Sequence, residues 1–158
     1  MEYSFDFSER MLDAARLLGE RHDGDAETAR AVVYQSFLSI EISLKCLLEH
    51  AGMHPTKIRK LNHGIENILE TVDSIQKGDA EIEPWDKLSG ETVDSDLQNG
   101  SFGLLLSLAA EGSTYPNKIR YGNQVRCIEP YLVVKMAQVA LVWCRSNAMD
   151  VTYVPANK

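Results

Sequence analysis

Apolar residues recur every three or four positions along most of this chain, the spacing that places side chains on one face of an α-helix. The longest such pattern follows Asp25, a residue type that caps helix N-termini, and is stopped by Gly52 and Pro55. Its apolar stripe consists of Ala29, Val33, Phe37, Ile40, Leu44, Leu47 and Leu48. At 1.5 Å per residue, ~27 residues make a rod of about 40 Å. The pattern therefore predicts a central helix along which shorter helices pack.

Shorter helical patterns flank this central one. They run from Ser8 to about Arg21, from about His63 to Gln76 with Asn62 as the cap, and onward from Glu129-Pro130. A proline at the first helical position loses no hydrogen bond, which favours the last of these starts. Residues 92–110 suit one or two further helices with a break near Asn99-Gly100. An all-α, up-and-down bundle of about five helices is expected.

The segments between helices give no reason to divide the chain. Residues 77–91 contain glycine, proline and many acids, but Trp85 and Leu88 favour docking on the core over a linker. The last residues, 151–158, include β-branched side chains with no partner strand in the pattern, so an extended or frayed tail is predicted. We expect one domain over residues 1–158, with a core at about 8–148 and a tail at 149–158.

Composition narrows the function classes. The net charge of −7 opposes nonspecific binding to nucleic acid, so any such contact requires a local basic cluster. Three cysteines without CxxC spacing predict no disulfide framework. The N-terminal residues lack the basic and apolar regions of an export signal, and no stretch of ~18 uninterrupted apolar residues predicts a membrane span. A cytoplasmic location is expected.

Several kinds of chemistry find little support in the sequence. His50 and His54 are four apart with His63 downstream, but Gly52 and Pro55 interrupt the helix that a metal-binding pair requires. Neither a Gly-x-Ser-x-Gly motif nor a phosphate-binding glycine loop is present. No metal and no cofactor are expected.

Charged and aromatic residues give the positive candidates. Glu41 and Lys45, four apart at the edge of the central apolar stripe, are interpreted as a structural ion pair. Two basic clusters lie in segments predicted to be loops before helices, where backbone amides also favour anions. They are Lys57, Arg59 and Lys60, and Lys118, Arg120 and Arg126. Tyr115, Tyr121 and Tyr131 surround the second cluster, and such rings can stack on unpaired bases.

The order of these features resembles the HEPN superfamily. It comprises a long helix with Glu41-x-x-x-Lys45-x-Leu47-Leu48, then Leu61-Asn-His63, and then Tyr115 and Arg120-Tyr121 before a closing helix, over about residues 8–148. The resemblance implies a four- or five-helix bundle that forms homodimers. It also implies RNA cleavage or nucleotide binding in toxin–antitoxin or defence systems, beside a nucleotidyltransferase-type partner protein.

The chain departs from this family in one chemical respect. The family's ribonucleases carry a histidine four to six residues after an arginine, whereas no histidine follows Arg120 here and Tyr131 occupies that position relative to Arg126. Imidazole exchanges a proton near neutral pH, while a phenol, which titrates near pH ~10, is a poor base. The incomplete motif therefore argues against efficient metal-independent cleavage of RNA.

The sequence thus predicts a helical domain that binds RNA, a nucleotide or a partner protein. The candidate ligand-binding residues are Arg120, Arg126, Tyr131, Tyr121, Lys57, Lys60 and His63. Two alternatives stay open. The first is an active ribonuclease toxin that uses other residues, such as His63 and Tyr131 brought together across a dimer. The second is a purely structural dimerisation or interaction module.

Overall fold

A computed structural model of the chain describes residues 1–21, 24–72, 75–77, 80–81, 115–120, 129–149 and 151–154. These residues are mostly helical. The helices are α1 (Phe5–Glu20), α2 (Ala26–His50), α3 (Pro55–Lys60), α4 (Ile65–Val72), the single turn α5 (Asn117–Arg120) and α6 (Pro130–Asn147). The strands are β1 (Ile75–Lys77), β2 (Ala80–Glu81) and β3 (Val151–Tyr153). The predicted all-α bundle is confirmed, with five helices longer than one turn.

Helix α2 is the central helix of the bundle, as its sequence predicts. Asp25 caps it by accepting a 2.8 Å hydrogen bond from the Thr28 amide, and Gly52 follows its end with a positive φ of 87°. Every residue from Glu41 to Leu48 is buried, because α1, α3, α4, α5 and α6 all pack on this helix. An α-helix buried on all sides requires even its polar residues to find partners inside the protein.

Helix α1 packs antiparallel to both α2 and α6. The buried Ser8 hydroxyl lies 2.8 Å from the Ser39 carbonyl oxygen and 2.6 Å from the Ser43 hydroxyl, which joins the start of α1 to the second half of α2. Arg145, near the end of α6, pairs with Glu9 at 3.0 Å, so the end of α6 also lies beside the start of α1. Small serines at this contact allow the two backbones to approach closely while their hydroxyls bond one another.

Helix α6 confirms the predicted start at Pro130 and the predicted buried stripe. Its buried residues include Val133, Ala137, Ala140, Leu141 and Cys144. Among the described residues, one helix, α2, is long and apolar enough to cross a membrane. However, 78% of its most apolar stretch is buried inside the bundle. Packing of the protein's own helices therefore accounts for its apolar character.

Three sequence-based boundaries were wrong. Helix α1 starts at Phe5 with Ser4 as its cap, because Ser8 is used inside the bundle instead. Lys57, Arg59 and Lys60 lie on the short helix α3, capped by His54, and not in a loop. Helix α4 starts at Ile65 and ends at Val72, so neither His63 nor Ile75 belongs to it.

The prediction of a tail without a partner strand was also wrong. Strand β3 pairs antiparallel with β1, which also pairs with β2, in the order β2-β1-β3. Val151 is buried, and the Tyr153 amide donates a 2.8 Å hydrogen bond to the Ala51 carbonyl oxygen. Strand pairing between residues 75–77 and 151–153 is a long-range contact that a local apolar period does not reveal. The core extends beyond residue 148 for this reason.

Some sequence-based predictions lie outside the described residues. They concern the docking of Trp85 and Leu88 on the core, the helices of 92–110, and the segment 121–128 with Tyr121, Arg126 and Cys127. Tyr115 and Pro116 are described, and both lie in a turn. Pro116 leads directly into α5, which carries Arg120.

Candidate functional site

The carboxylate of Glu41 is the most heavily engaged polar group in the described structure. Glu41 lies in the middle of α2 with 4% of its surface exposed. It accepts hydrogen bonds from the Lys45 ammonium at 2.7 Å and from the Tyr115 hydroxyl at 2.7 Å. The imidazole Nδ1 of His63 lies 3.0 and 3.1 Å from its two oxygens. Three donors from three parts of the chain thus satisfy one buried negative charge, as burial of a carboxylate demands.

Lys45 balances this charge from one helical turn further along α2. Its ammonium also donates to the Asn62 carbonyl oxygen and lies 5.6 Å from the centroid of the Tyr3 ring. Asn62 has a positive φ of 53° in the turn between α3 and α4. The predicted structural pair of Glu41 and Lys45 is therefore present, and it also fixes the turn that presents His63.

Tyr115 connects the charged cluster to a row of aromatic rings. Its ring stacks on Phe37 with centroids 5.5 Å apart, and Tyr34 lies on another side at 5.6 Å. Burial, and next the negative charge of Glu41 and the hydrogen bond to it, raise the pKa of Tyr115 well above its ordinary range. The phenol is therefore a proton donor to Glu41 at any physiological pH, and it is not a base.

His63 is the exposed member of the cluster. Its side chain is 59% exposed although its Nδ1 is held by the buried carboxylate, and its ring meets the Tyr115 ring edge-on at 6.5 Å. A carboxylate that anchors one imidazole nitrogen fixes the orientation of the ring and the location of its proton. The cluster thus presents a positioned imidazole at the protein surface.

Arg120 lines a cleft at the other end of the aromatic row. Its guanidinium carbon lies 6.0 Å from the Tyr34 ring centroid, within cation–π distance. The cleft has a volume of about 430 Å³ and is lined by Glu27, Arg30, Ala31, Tyr34 and Gln35 of α2 and by Ile119 and Arg120. Within the part of the chain that the structure describes, Arg30 pairs with Glu27, whereas no carboxylate pairs with Arg120. A guanidinium fork beside an aromatic face is therefore available to a ligand.

The other candidate site residues that the structure describes do not line this cleft. The Lys57 ammonium on α3 lies 6.0 Å from the Tyr153 ring centroid, and Lys60 is exposed at the end of the same helix. Tyr131 is 59% exposed and lines a separate cleft of about 450 Å³ between α1 and α6. In one copy of the chain, His63 and Tyr131 are thus on different surfaces.

The sequence did not indicate two hydrogen-bond partners of Glu41 or one residue of the Arg120 cleft. Nothing in the local pattern indicates that Tyr115 and His63 both bond Glu41, 74 and 22 residues away in the chain. Tyr34, which forms the aromatic wall beside Arg120, is not distinguished by its local sequence from other residues of an amphipathic helix. One feature of the sequence does point to such partners. Glu41 lies between Ile40 and Ile42, and an acid that is buried together with two apolar neighbours requires hydrogen-bond donors inside the protein.

Thiol and metal chemistry have little basis in the described residues. Burial raises the pKa of Cys46 to about 11 and that of Cys144 well above its ordinary value, so both are thiols at neutral pH. His50 stacks on Phe5, and the Nδ1 of His54 accepts a hydrogen bond from the Thr56 amide. Among the described residues, no three histidine, cysteine, aspartate or glutamate side chains are grouped so as to hold a metal ion.

Replacement of Lys45 tests the buried ion pair. Lys45→Met keeps the length of the side chain but leaves Glu41 without a countercharge, and loss of one partner of a buried pair costs about 3–5 kcal/mol. We expect a loss of this size in the free energy of unfolding, measured with urea at pH 7. Arg16→Met, which breaks the more exposed Arg16–Asp13 pair at 3.3 Å, is the control and should cost less than ~1 kcal/mol. Equal losses would contradict the assigned role of Lys45.

The raised pKa of Tyr115 predicts a stability effect at alkaline pH. A tyrosine whose pKa is higher in the folded than in the unfolded protein stabilises the fold fully below the unfolded value, here 10.0, and less as the pH rises beyond it. The difference in unfolding free energy between wild type and Tyr115→Phe should be constant from pH 7 to ~9 and shrink above pH ~10. Urea titrations across this range measure it, with Tyr131→Phe as an exposed control. A difference that does not change with pH would refute the effect.

Comparisons with protein-family models, curated proteins and solved structures find no match for this chain. Its function must therefore be inferred from its own residues. Two arrangements in the described structure offer chemistry, namely the Glu41 cluster with its exposed imidazole and the cleft between Tyr34 and Arg120.

Proposed function

We propose that this chain is a HEPN-like helical domain that binds a nucleotide in the cleft between Tyr34 and Arg120. The observation that carries the proposal is the Arg120 guanidinium, 6.0 Å from the Tyr34 ring and without a carboxylate partner among the described residues. Arginine binds phosphate oxygens through two parallel N–H donors, and an aromatic ring can stack on a base. The two chemical parts of a nucleotide thus have counterparts in one cleft.

The size of the cleft and the charge of the chain favour a small ligand. About 430 Å³ lies within the ~300–1,000 Å³ that is usual for small-molecule sites. The net charge of −7 repels a long polyanion more strongly than a ligand with one to three phosphates. A mononucleotide therefore suits the cleft better than extended RNA, although both contain the same phosphate and base groups.

The resemblance to HEPN proteins supports the same reading. The resemblance rests on the order of the long helix, Leu61-Asn-His63, the Tyr115–Arg120 segment and the closing helix along the sequence. By this resemblance, the protein would act in the cytoplasm within a toxin–antitoxin or defence system, with a nucleotidyltransferase-type protein as a partner. The missing histidine after Arg120 favours binding over cleavage of RNA.

Removal of the Arg120 side chain tests this proposal. A hydrogen bond to a charged group contributes about 1.5–3 kcal/mol, so Arg120→Ala should weaken binding of AMP or ATP by at least about tenfold. Isothermal titration calorimetry measures the affinities. Arg10→Ala, at an exposed arginine of α1 that lines neither cleft, is the matched control and should bind like wild type.

Two outcomes would contradict the nucleotide-binding proposal. One is the absence of nucleotide binding by the wild-type protein, and the other is an Arg120→Ala variant that binds as tightly as wild type. Incubation of the same proteins with a labelled RNA oligonucleotide distinguishes the ribonuclease alternative. Cleavage that Arg120→Ala abolishes would replace the binding proposal by an enzymatic one.

We also propose that the chain forms a homodimer through the surface of α1 and α6. On these two helices Leu17, Tyr131 and Val142 are each more than half exposed, and Tyr131 lines a cleft with Val32, Pro130 and Val134 at its apolar part. The same cleft carries charges of both signs, from Arg16 and Lys135 and from Glu20 and Glu129. A surface with both signs around an apolar centre can pair with its own copy across a two-fold axis.

A charge placed at the centre of this surface tests the dimer. Tyr131→Glu should shift the protein to a monomer, because a carboxylate would be buried without a partner at the contact. Size-exclusion chromatography with light scattering measures the mass. Phe7→Glu is the control, since Phe7 is 50% exposed on α1 but does not line the cleft, and it should leave the mass unchanged. A wild-type monomer at micromolar concentration would contradict the proposal.

A further inference from the structure

We propose that His63 is a phosphoryl-acceptor residue that is modified at Nε2 by donors with a labile phosphorus bond. The proposal rests on the Glu41 cluster and is independent of nucleotide binding at Arg120. It assigns a chemical use to the exposed imidazole, which lines neither of the two clefts.

The contact with Glu41 determines where the His63 ring carries its proton. The Nδ1 atom lies 3.0 and 3.1 Å from the two oxygens of Glu41, and an ionised carboxylate can only accept hydrogen bonds. Lys45 and Tyr115 also donate to Glu41, so the charge on the carboxylate is stabilised. In the neutral ring the proton therefore resides on Nδ1, and Nε2 keeps a lone pair.

The Nε2 atom is accessible. The side chain is 59% exposed although Nδ1 faces a buried group, so the exposed part of the ring is the edge away from Glu41. No hydrogen bond from a described residue to Nε2 competes for its lone pair. An exposed ring edge with this lone pair suits a nucleophile that meets its donor from solution.

His54 provides an internal contrast. Its Nδ1 accepts a 3.2 Å hydrogen bond from the Thr56 amide, so in the neutral ring its proton resides on Nε2. The Nε2 of His54 then lacks a lone pair, and its Nδ1 is occupied. His50 is exposed but stacks on Phe5 and has no carboxylate on its ring nitrogens in the described contacts. Of these three histidines, His63 alone combines an anchored Nδ1–H with an open Nε2.

The reaction balances without a further reactant. The lone pair of His63 Nε2 attacks the phosphorus of a phosphoramidate, and a new N–P bond forms. The P–N bond of the donor breaks, and its amine takes the electron pair and one proton from solvent to leave as ammonia. The Nδ1 proton stays in its hydrogen bond to Glu41, whose negative charge stabilises the positive charge that develops on the ring.

Labelling with potassium phosphoramidate tests the proposal on the full chain. Peptide mapping by mass spectrometry at neutral pH resolves the four histidines of the chain, and His63 should be phosphorylated at least about tenfold faster than His54. Glu41→Gln should slow the modification of His63 by a similar factor, because it removes the charge that holds Nδ1–H. Tyr115→Phe keeps the carboxylate and should label nearly as fast as wild type.

A second measurement does not depend on a variant that folds. Long-range ¹H–¹⁵N correlation spectra of the wild-type protein report the tautomer of each histidine, and we expect Nδ1–H for His63 and Nε2–H for His54. The opposite tautomer at His63 would overturn the proposal. So would equal labelling of His54 and His63, or a Glu41→Gln variant, folded by circular dichroism, that labels at the wild-type rate.

Discussion

One buried carboxylate imposes conditions on most of the described structure. A charge enclosed in apolar surroundings is tolerated only when donors surround it, and Glu41 receives them from α2, from the turn before α4 and from the segment before α5. Each of these segments must therefore adopt one position relative to α2. Apolar burial is non-directional, whereas hydrogen bonds to one shared carboxylate require each donor at a set distance and angle. We infer that Glu41 specifies the arrangement of the bundle more than it adds to its stability.

The same cluster relates the two chemically interesting surfaces. The Tyr115 hydroxyl bonds Glu41 while its ring packs on Tyr34, and Tyr34 in turn forms the aromatic side of the Arg120 cleft. His63 meets the opposite side of this row at the ring of Tyr115. Contacts between neighbouring rings thus extend without a gap from the exposed imidazole to the guanidinium. Tyr115 is common to both ends, because its hydroxyl donates to Glu41 while its ring contacts both His63 and Tyr34.

The sequence predicted those parts of the fold that depend on local pattern. The apolar period located α2 and α6, Asp25 and Pro130 gave their starts, and the all-α class followed from them. Long-range pairing was not accessible in this way. The apolar spacing allows Ile75 to be either the next residue of α4 or the first residue of a strand. The pairing of β1 with β3 shows that it belongs to a strand. The Ser8 hydroxyl could cap a helix N-terminus, but in the structure it forms hydrogen bonds with Ser39 and Ser43 of α2 instead.

The candidate site shows the same division. Arg120 was a candidate because it belongs to a basic cluster, and His63 because it belongs to the Leu61-Asn-His63 motif. The Glu41–Lys45 pair was visible from its spacing of four. The role of Tyr34 was not predictable, since it depends on where α5 packs on α2. The position of Tyr131 on a separate surface likewise depends on the antiparallel packing of α1 and α6. Spacing within one helix is readable from sequence, but proximity between helices follows from packing.

The strand β3 has a consequence for how the bundle assembles. The Tyr153 amide bonds the Ala51 carbonyl oxygen, and the amides of Glu2 and Tyr3 bond the Glu49 carboxylate, so both outer segments of the chain meet at the end of α2. These contacts join residues nearly 50 and about 100 positions apart. Forming them costs the conformational entropy of the long chain segments between. A helical bundle of purely neighbouring contacts folds quickly. This bundle also requires non-local closure, and we expect its folding barrier to resemble that of a mixed α/β domain more than that of a simple bundle.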